Sequence, residues 1–401
     1  LSAFDKCGAL EAIDVVEPNT NYTSINGVLF NKGCTTLLQY PAGRADASYS
    51  LPGSVTTLTS YAFSGCTHLT SVTIPASVAT VEVLAFEYCP NLTDIHVDAP
   101  NATYTSVGGV LFNSDCTTLL QYPGGREGAY TIPSSVTGIG NYAFWTCSKL
   151  TGITIPDTVE RIGQLAFSRC TGLSSLTIPS RVDTIDLYAF TNCDSLTRID
   201  VTELNNSFTS SDGVLFNEDC TTLIAFPPGR QGVYTVPDGV THLGNTAFIT
   251  SERITGVKLP ASVTVLSDGA FGDCYKLKSV GFMGGAPTLE GAPRTPYSDV
   301  FRLRNSALML YYLEGKTGWT TPHWQEYKTA LWDGQELPIP PDPPQATGSS
   351  SSAISGGGAD TGNQYTGAWN KNALTVQADC KKLVSVVVDG VQLIKDKDYT
   401  V

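Results

Sequence analysis

The side chains best placed for acid–base or metal chemistry are Asp94, His96 and Asp98. Alternate residues of a strand share one face, so the three would stand side by side, as a metal site or an acid–base pair requires. A solvated strand face produces the same pattern, and we favour that interpretation. The other histidines follow no ligand spacing, and neither Gly-x-Ser-x-Gly nor a phosphate loop occurs. We therefore expect no catalytic site, no metal and no cofactor.

A second candidate is an arginine that recurs at the end of a Pro-x-Gly-Arg segment, at Arg44, Arg126 and Arg230. A guanidinium in one repeated position is suited to a carboxylate or another anion. No second polar side chain recurs with it. We favour a turn that requires glycine, with an exposed arginine beside it.

Eleven cysteines in one chain suggest a disulfide framework, but their positions in the sequence indicate a different role. Seven follow a phenylalanine by three residues: Cys7, Cys66, Cys89, Cys147, Cys170, Cys193 and Cys274. Stacked coils would bring such sulfurs about 4.8 Å apart, which a disulfide tolerates. Ser251 fills the same position without a sulfur. We expect reduced cysteines that act as small buried side chains.

These cysteines belong to a repeated skeleton, Ala-Phe-x-x-Cys-x-x-Leu-x-x-Ile/Val. Its phenylalanines are 23, 58 or 59 residues apart, at Phe4, Phe63, Phe86, Phe144, Phe167, Phe190, Phe248 and Phe271. The Ile-Pro, Leu-Pro or Val-Pro steps that follow show the same 23- and 58-residue spacings. A fixed period of this length predicts a solenoid in which each coil packs on its neighbours.

Each 23-residue unit predicts one strand, a second wall and a corner. Val72 and Ile74 alternate with polar residues, which indicates a strand with one buried face, and Pro75 ends it. Ala85 and Phe86 are predicted to form a short helical turn at the corner. The three longer units add a β-hairpin with Val-Leu-Phe on its return strand, because Asn-Gly, Gly-Gly and Asp-Gly pairs favour type I′ turns.

The composition excludes some partners. The 401 residues carry a net charge of −13 without a basic cluster, so nucleic acid is an improbable ligand. The sequence contains no run of 18 apolar residues, so no membrane span is predicted. The outward strand positions are mostly small and polar, without the aromatic stripe of a glycan groove. The ionisable residues at these outward positions that are candidates for a binding surface are Asp94, His96, Arg198 and Lys258.

The repeat ends near residue 280, so we assign 1–280 to the solenoid. Residues 281–337 are rich in tryptophan and predict a C-terminal cap, although Trp319 and Trp324 would also suit an aromatic ligand patch. Residues 338–367 form a linker, first rich in proline and then in glycine and serine. Residues 368–401 predict a truncated β module with a hairpin at Asp389-Gly390.

The unit Ala-Phe-x-x-Cys-x-x-Leu-Thr-x-Ile-x-Ile-Pro-x-x-Val-x-x-Ile resembles the BspA-like leucine-rich repeats of bacterial surface proteins, most closely over 143–162 and 166–185. The resemblance covers about residues 3–280. It implies a mainly β solenoid of leucine-rich repeats, with three longer hairpin units and a capped C-terminus. The tail, with Val388-Asp389-Gly390, resembles immunoglobulin-like modules of Gram-positive extracellular proteins.

The same resemblance implies a non-enzymatic protein that is secreted or attached to the cell wall. Such proteins are associated with adhesion and with binding of extracellular or host-cell proteins. A glycan ligand is an alternative partner. Two other functions are a structural stalk that presents a downstream module and an accessory protein that binds carbohydrate. The family carries no shared ligand motif, so the resemblance assigns no functional residue.

Overall fold

The computed structural model describes residue 4, residues 7–290, 300–301 and 308–341, and the backbone of 386–388 and 391–393. The described residues form strands and turns, without an α-helix. The strands wind into a β-solenoid, as the repeat period predicts. It consists of three blocks, each of which begins with a hairpin, followed by a C-terminal cap.

The strands of the first block are β1 (Tyr22–Ile25), β2 (Val28–Asn31), β3 (Thr36–Gln39), β4 (Ser48–Ser50), β5 (Thr57–Leu58), β6 (Ser71–Ile74), β7 (Thr80–Val81) and β8 (Asp94–Val97). Those of the second block are β9 (Tyr104–Val107), β10 (Val110–Asn113), β11 (Thr118–Gln121), β12 (Gly128–Thr131), β13 (Gly138–Ile139), β14 (Leu150–Thr154), β15 (Arg161–Ile162), β16 (Ser175–Ile178), β17 (Thr184–Ile185) and β18 (Arg198–Val201).

Those of the third block are β19 (Phe208–Ser211), β20 (Val214–Asn217), β21 (Thr222–Ala225), β22 (Gly232–Thr235), β23 (His242–Leu243), β24 (Ile254–Leu259), β25 (Val265–Leu266), β26 (Ser279–Phe282) and β27 (Thr288–Leu289). The cap contains β28 (Met309–Leu313), β29 (His323–Trp324) and β30 (Tyr327–Trp332). Two further strands near the C-terminus are β31 (Val386–Val388) and β32 (Val391–Leu393).

The strands form two walls. The front wall holds strands of three to six residues, paired in parallel as β4-β6-β8, β12-β14, β16-β18 and β22-β24-β26-β28-β30. The back wall holds short parallel strands, as in β11-β13-β15-β17, and a hairpin extends each back sheet in antiparallel fashion. Equivalent residues of successive coils face each other, for example Val72 and Ile95.

Between the walls the motif side chains stack into columns. The rings of Phe144, Phe167 and Phe190 lie nearly parallel, with centroids 4.9 and 6.0 Å apart. The cysteines stack beside them, and the Cys170 thiol donates to the Phe144 carbonyl of the preceding coil at 3.1 Å. No disulfide joins any two of the ten cysteines in the described residues, and the seven that belong to the column are buried; Cys380 lies outside that part.

The return strand of each hairpin is buried on both faces. Val110, Leu111 and Phe112 are each at most 1% exposed. Leu111 packs with the first block, whereas Val110 and Phe112 pack with the second. Because successive side chains of a strand point to opposite faces, one Val-Leu-Phe strand serves as a wall shared by two cores.

The corners differ from the short helical turns predicted from sequence, because each is a run of separate tight turns. Tyr61 and Gly65 both have left-handed backbones, with φ of 65° and 75°. Left-handed residues cannot continue a right-handed helix. The Phe63 amide instead donates to the Ala85 carbonyl of the next coil at 2.8 Å. The corners therefore extend the hydrogen bonding between coils.

The cap continues the front wall, since β28 pairs in parallel with β26 and β30 pairs in parallel with β28. Near the C-terminus β31 and β32 pair in antiparallel fashion around Asp389-Gly390, which confirms the predicted hairpin. The immunoglobulin-like module to which that hairpin was assigned otherwise lies outside the described residues, as does the linker beyond residue 341.

Candidate functional site

Asp94 and His96 point outward from β8, the last front strand of the first block. Asp94 lies against the following hairpin turn, where a Cβ on Gly109 would come within 2.3 Å of its Oδ1. The His96 Nε2 is 3.7 Å from the Asp98 Oδ1, and both side chains are more than half exposed. The contact between these two exposed side chains resembles a solvated strand face more than a built acid–base site.

Arg198 occupies the position equivalent to Asp94, on β18 at the end of the second block. Its Nη2 donates to the Asp200 Oδ1 at 2.7 Å and its Nε to Oδ2 at 3.2 Å. The carboxylate of Asp200 raises the pKa of the guanidinium. The structure therefore places Arg198 and the Asp94–His96 pair at corresponding block ends rather than in one site.

The recurring arginines bind the hairpin turns. The Nη1 of Arg126 donates to the Gly108 carbonyl at 2.6 Å, and that of Arg230 to the Asp212 carbonyl at 2.7 Å. Arg44 makes the same contact with the Asn26 carbonyl. The sequence did not reveal this partner, because it is a backbone oxygen. Each arginine holds a hairpin against the corner of its own long unit.

An aromatic group that the sequence analysis missed supports each arginine. In the second block Tyr122, Tyr130 and Phe144 pack with centroids 4.8 to 6.3 Å apart, and Arg126 lies over Tyr122. Burial raises the pKa of Tyr130 to about 12. The equivalents of Tyr130 are Tyr49 and Tyr234. A tyrosine two residues before each x-Pro step that follows a hairpin could have revealed this aromatic group from the sequence.

An asparagine that was also missed begins each hairpin; Asn19 and Asn205 are buried and Asn101 is half-buried. The Asn205 Nδ2 donates to the Pro179 and Val182 carbonyls at 2.7 and 2.9 Å. Its Oδ1 accepts from the amides of Ser207 and Phe208 at 2.9 and 2.8 Å. Asn101 repeats all four contacts. Its recurrence three residues before Tyr22, Tyr104 and Phe208 was the available signal.

Two open clefts lie at equivalent places, where a front strand meets the Pro-x-Gly-Arg loop. The first cleft has a volume of about 550 Å³, and its charged lining is Asp94, Arg126, Glu127 and Lys149, beside His68. The second cleft has a volume of about 410 Å³, and its charged lining is Arg198, Asp212, Arg230 and Arg253. The same fold position therefore carries two different charge patterns.

Lys258 lies under a segment of the same chain. Residues 333–341, here called the strap, cross the outward face of the front wall in the third block. The Lys258 Nζ donates to the Gln335 carbonyl at 2.6 Å and lies 5.6 Å from the Trp332 ring centroid. Leu337 is buried over Gly281, where a Cβ would come within 2.7 Å of its Cδ1. Lys258, which the sequence suggested as a binding residue, is therefore already hydrogen-bonded to a carbonyl of its own chain.

Trp319 and Trp324 pack within the cap. The Trp319 ring stacks on Tyr312 with centroids 5.2 Å apart, and its Nε1 donates to the Gly284 carbonyl at 3.2 Å. Trp324 packs against Trp319 at 4.8 Å and is only 7% exposed. This arrangement covers the apolar end of the solenoid and leaves little ring surface for a ligand to stack on.

Among the residues that the structure describes, no three histidine, cysteine, aspartate or glutamate side chains converge in a way that would hold a metal ion. Within the same residues no helix is long and apolar enough to cross a membrane.

The sequence matches the family model described as the BspA type leucine rich repeat region, in six copies over residues 46–122, 128–228 and 233–290, together more than half of the chain. No curated protein matches the sequence.

Several solved structures are similar to this chain in fold. The pneumococcal vaccine antigen PcpA is 20% identical, over 75% of this chain and 82% of its own, with a TM-score of 0.45. A leucine rich cell surface protein from Faecalibacterium prausnitzii is 20% identical, over 80% and 97%, with a TM-score of 0.44. A leucine-rich repeat protein from Eubacterium ventriosum is 23% identical, over 63% and 67%, with a TM-score of 0.44.

Proposed function

This chain belongs to the family of BspA-type leucine-rich repeat proteins, and from that membership we propose that it is a non-enzymatic binding protein, secreted or held at the cell surface. Its ligand is an extracellular or host-cell protein. The binding surface is the front face, defined as the outward side chains of the front strands in the first two blocks.

The observation that carries this proposal is the difference in cover along the front wall. The outward side chains of β8, β12, β16 and β18 are mostly exposed, whereas in the third block Leu337 of the strap is buried over Gly256 and Gly281. Across the front strands of the first two blocks, many outward residues are serine or threonine, such as Ser48, Ser71, Ser175 and Thr177. Short side chains lose little rotamer entropy on binding, which suits a surface that contacts a partner over many strands.

A binding screen with matched substitutions tests this surface. The full chain is offered to an array of extracellular-matrix proteins and glycans, in parallel with Thr177→Arg and Thr184→Arg variants. Thr177 is exposed on the front strand β16 and Thr184 is exposed on the back strand β17. A bulky charge at the centre of an interface typically costs 2 kcal/mol or more, so we expect Thr177→Arg to weaken a protein hit by about thirtyfold.

Thr184→Arg should leave that hit unchanged. Equal loss in both variants would move the binding surface away from the front face. A screen without any protein hit would favour the structural stalk, and hits confined to glycans would favour a carbohydrate-binding accessory protein. Protease treatment of intact cells that express the natural gene checks the location, because a surface protein is cleaved without lysis.

A further inference from the structure

The second cleft gathers three guanidinium groups from three successive parts of the chain. Arg198 comes from β18, Arg230 from the loop after β21, and Arg253 from the turn before β24. All three line one open depression of about 410 Å³. The whole chain is acidic, with a net charge of −13, whereas this cleft has a cluster of three positively charged side chains.

Two of the three guanidiniums are already held by contacts of the chain itself. Arg198 is paired with Asp200, and the Arg230 Nη2 donates to the Asp212 Oδ2 at 2.6 Å. Arg230 also lies 5.6 and 5.5 Å from the ring centroids of Phe226 and Tyr234. These contacts hold the Arg198 and Arg230 side chains in place before a ligand binds, which reduces the entropic cost of binding.

Arg253 is the exception. Its guanidinium makes no hydrogen bond and no ion pair within 4.0 Å to any side chain that the structure describes, and the residue is exposed. The charge of Arg253 is felt by the carboxyl of its neighbour Glu252, whose pKa is raised mainly by burial. The planar fork of donors on Arg253 is therefore available to a carboxylate from outside.

The first cleft shows the same positions in a neutralised form. Asp94 stands where Arg198 does, Glu127 where Gln231 does, and Lys149 where Arg253 does. The Lys149 Nζ lies 3.1 Å from the Glu127 Oε1. Lys149 therefore has an acidic partner within the chain. The residue equivalent to Glu127 is the uncharged Gln231, which cannot form an ion pair with Arg253.

We propose that the second cleft binds an acidic segment of a protein partner, with one carboxylate paired to Arg253 and oriented by Arg198 and Arg230. This inference rests on the proposed function, because it names the chemistry of the partner. A polyanion such as a sulfated glycan fits less well, since Asp212 lines the cleft and Asp200 is paired with Arg198, and both would repel its further charges.

A bead-bound library of random peptides tests the proposal against the full chain. We expect the retained peptides to carry several-fold more aspartate and glutamate than the input. An acidic peptide isolated in this way should bind Arg253→Gln about tenfold more weakly, because one charge-assisted hydrogen bond to a carboxylate is lost. Arg253→Lys should recover part of the affinity.

Lys149→Gln is the matched control, since it removes the same charge from the equivalent position of the first cleft and should change the affinity less than twofold. Acidic peptides that bind Arg253→Gln as well as wild type would overturn the proposal. Retained peptides without acidic enrichment would also overturn it, while leaving the protein-binding function intact. Capture of a sulfated oligosaccharide in place of acidic peptides would show that the ligand class is wrong, and a library without any retained peptide would count against both proposals.

Discussion

The plain 23-residue coils and the long units bury their apolar side chains in different ways. In a plain coil each buried residue stacks on its counterpart in the next coil, as Phe144 does on Phe167 at 4.9 Å. In a long unit the return strand places Leu111 in one core and Phe112 in the next. Plain coils therefore extend a core, whereas long units end one core and begin another.

This difference extends to the polar contacts. Plain coils depend on repeated backbone bonds between corners, such as Phe63 to Ala85. Long units add side-chain contacts that are specific to them, notably Asn205 at the start of a hairpin and Arg230 at its turn. The hairpin therefore depends on a few directed bonds, whereas a column depends on apolar packing that is repeated in every coil.

The largest effect is expected from the aromatic column of a plain coil. Phe167→Ala removes a fully buried ring between two stacked neighbours and should lower the free energy of unfolding by about 3–5 kcal/mol. Urea denaturation of the full chain measures it. Thr177→Ala, on the exposed front face, is the control and should change that free energy by less than about 0.5 kcal/mol. A loss below about 1 kcal/mol for Phe167→Ala would show that the column relaxes around the gap.

A smaller effect is expected from the asparagine that begins a hairpin. Asn205→Ala leaves two buried carbonyls and two amides without their side-chain partner, which should cost about 2–3 kcal/mol. Amide hydrogen exchange should show the loss first in β19 and β20. Asn91→Ala removes a single exposed bond to the Thr67 carbonyl and should cost less than about 1 kcal/mol. Uniform loss of protection along the chain would contradict a separate role for the hairpin.

The arginine of the Pro-x-Gly-Arg loop should contribute less again. Arg126→Ala removes the bond to the Gly108 carbonyl and the contact with the Tyr122 ring, at an expected cost of about 1 kcal/mol. Thermal denaturation measures the change. Arg181→Ala breaks only an exposed pair with Glu160 and should cost about 0.5 kcal/mol or less. Equal effects would mean that the hairpin turn needs no arginine.

The smallest effect concerns alkaline pH. Burial raises the pKa of Tyr130 to about 12 in the folded chain, whereas an unfolded tyrosine ionises near pH 10. The unfolded state therefore binds fewer protons between about pH 10 and 12, and stability falls as pH rises through this window. Tyr130→Phe removes this contribution and should raise the pH midpoint of alkaline unfolding, followed by circular dichroism. An unchanged midpoint would show that Tyr130 ionises with the same pKa in the folded and unfolded states.

Residue spacing alone is enough to predict the solenoid, its period and the hairpins. These features depend on local chemistry that spacing reveals directly: a phenylalanine every 23 residues, a proline that ends a strand, and Asn-Gly, Gly-Gly or Asp-Gly pairs that permit a tight turn. Outward positions were also readable, because alternation along a strand assigns every second residue to one face. Asp94, His96 and Arg198 are accordingly exposed on front strands.

Only the tertiary structure decided which of those outward residues remain open. The backbone oxygens that bind the recurring arginines, the strap over Lys258 and the assembly of the second cleft all join residues far apart in sequence. The corners formed separate turns because the next coil supplies a partner for the Phe63 amide, and no local pattern records that partner. Periodicity predicts a repeated coil, whereas contacts that occur once depend on where the chain returns in space.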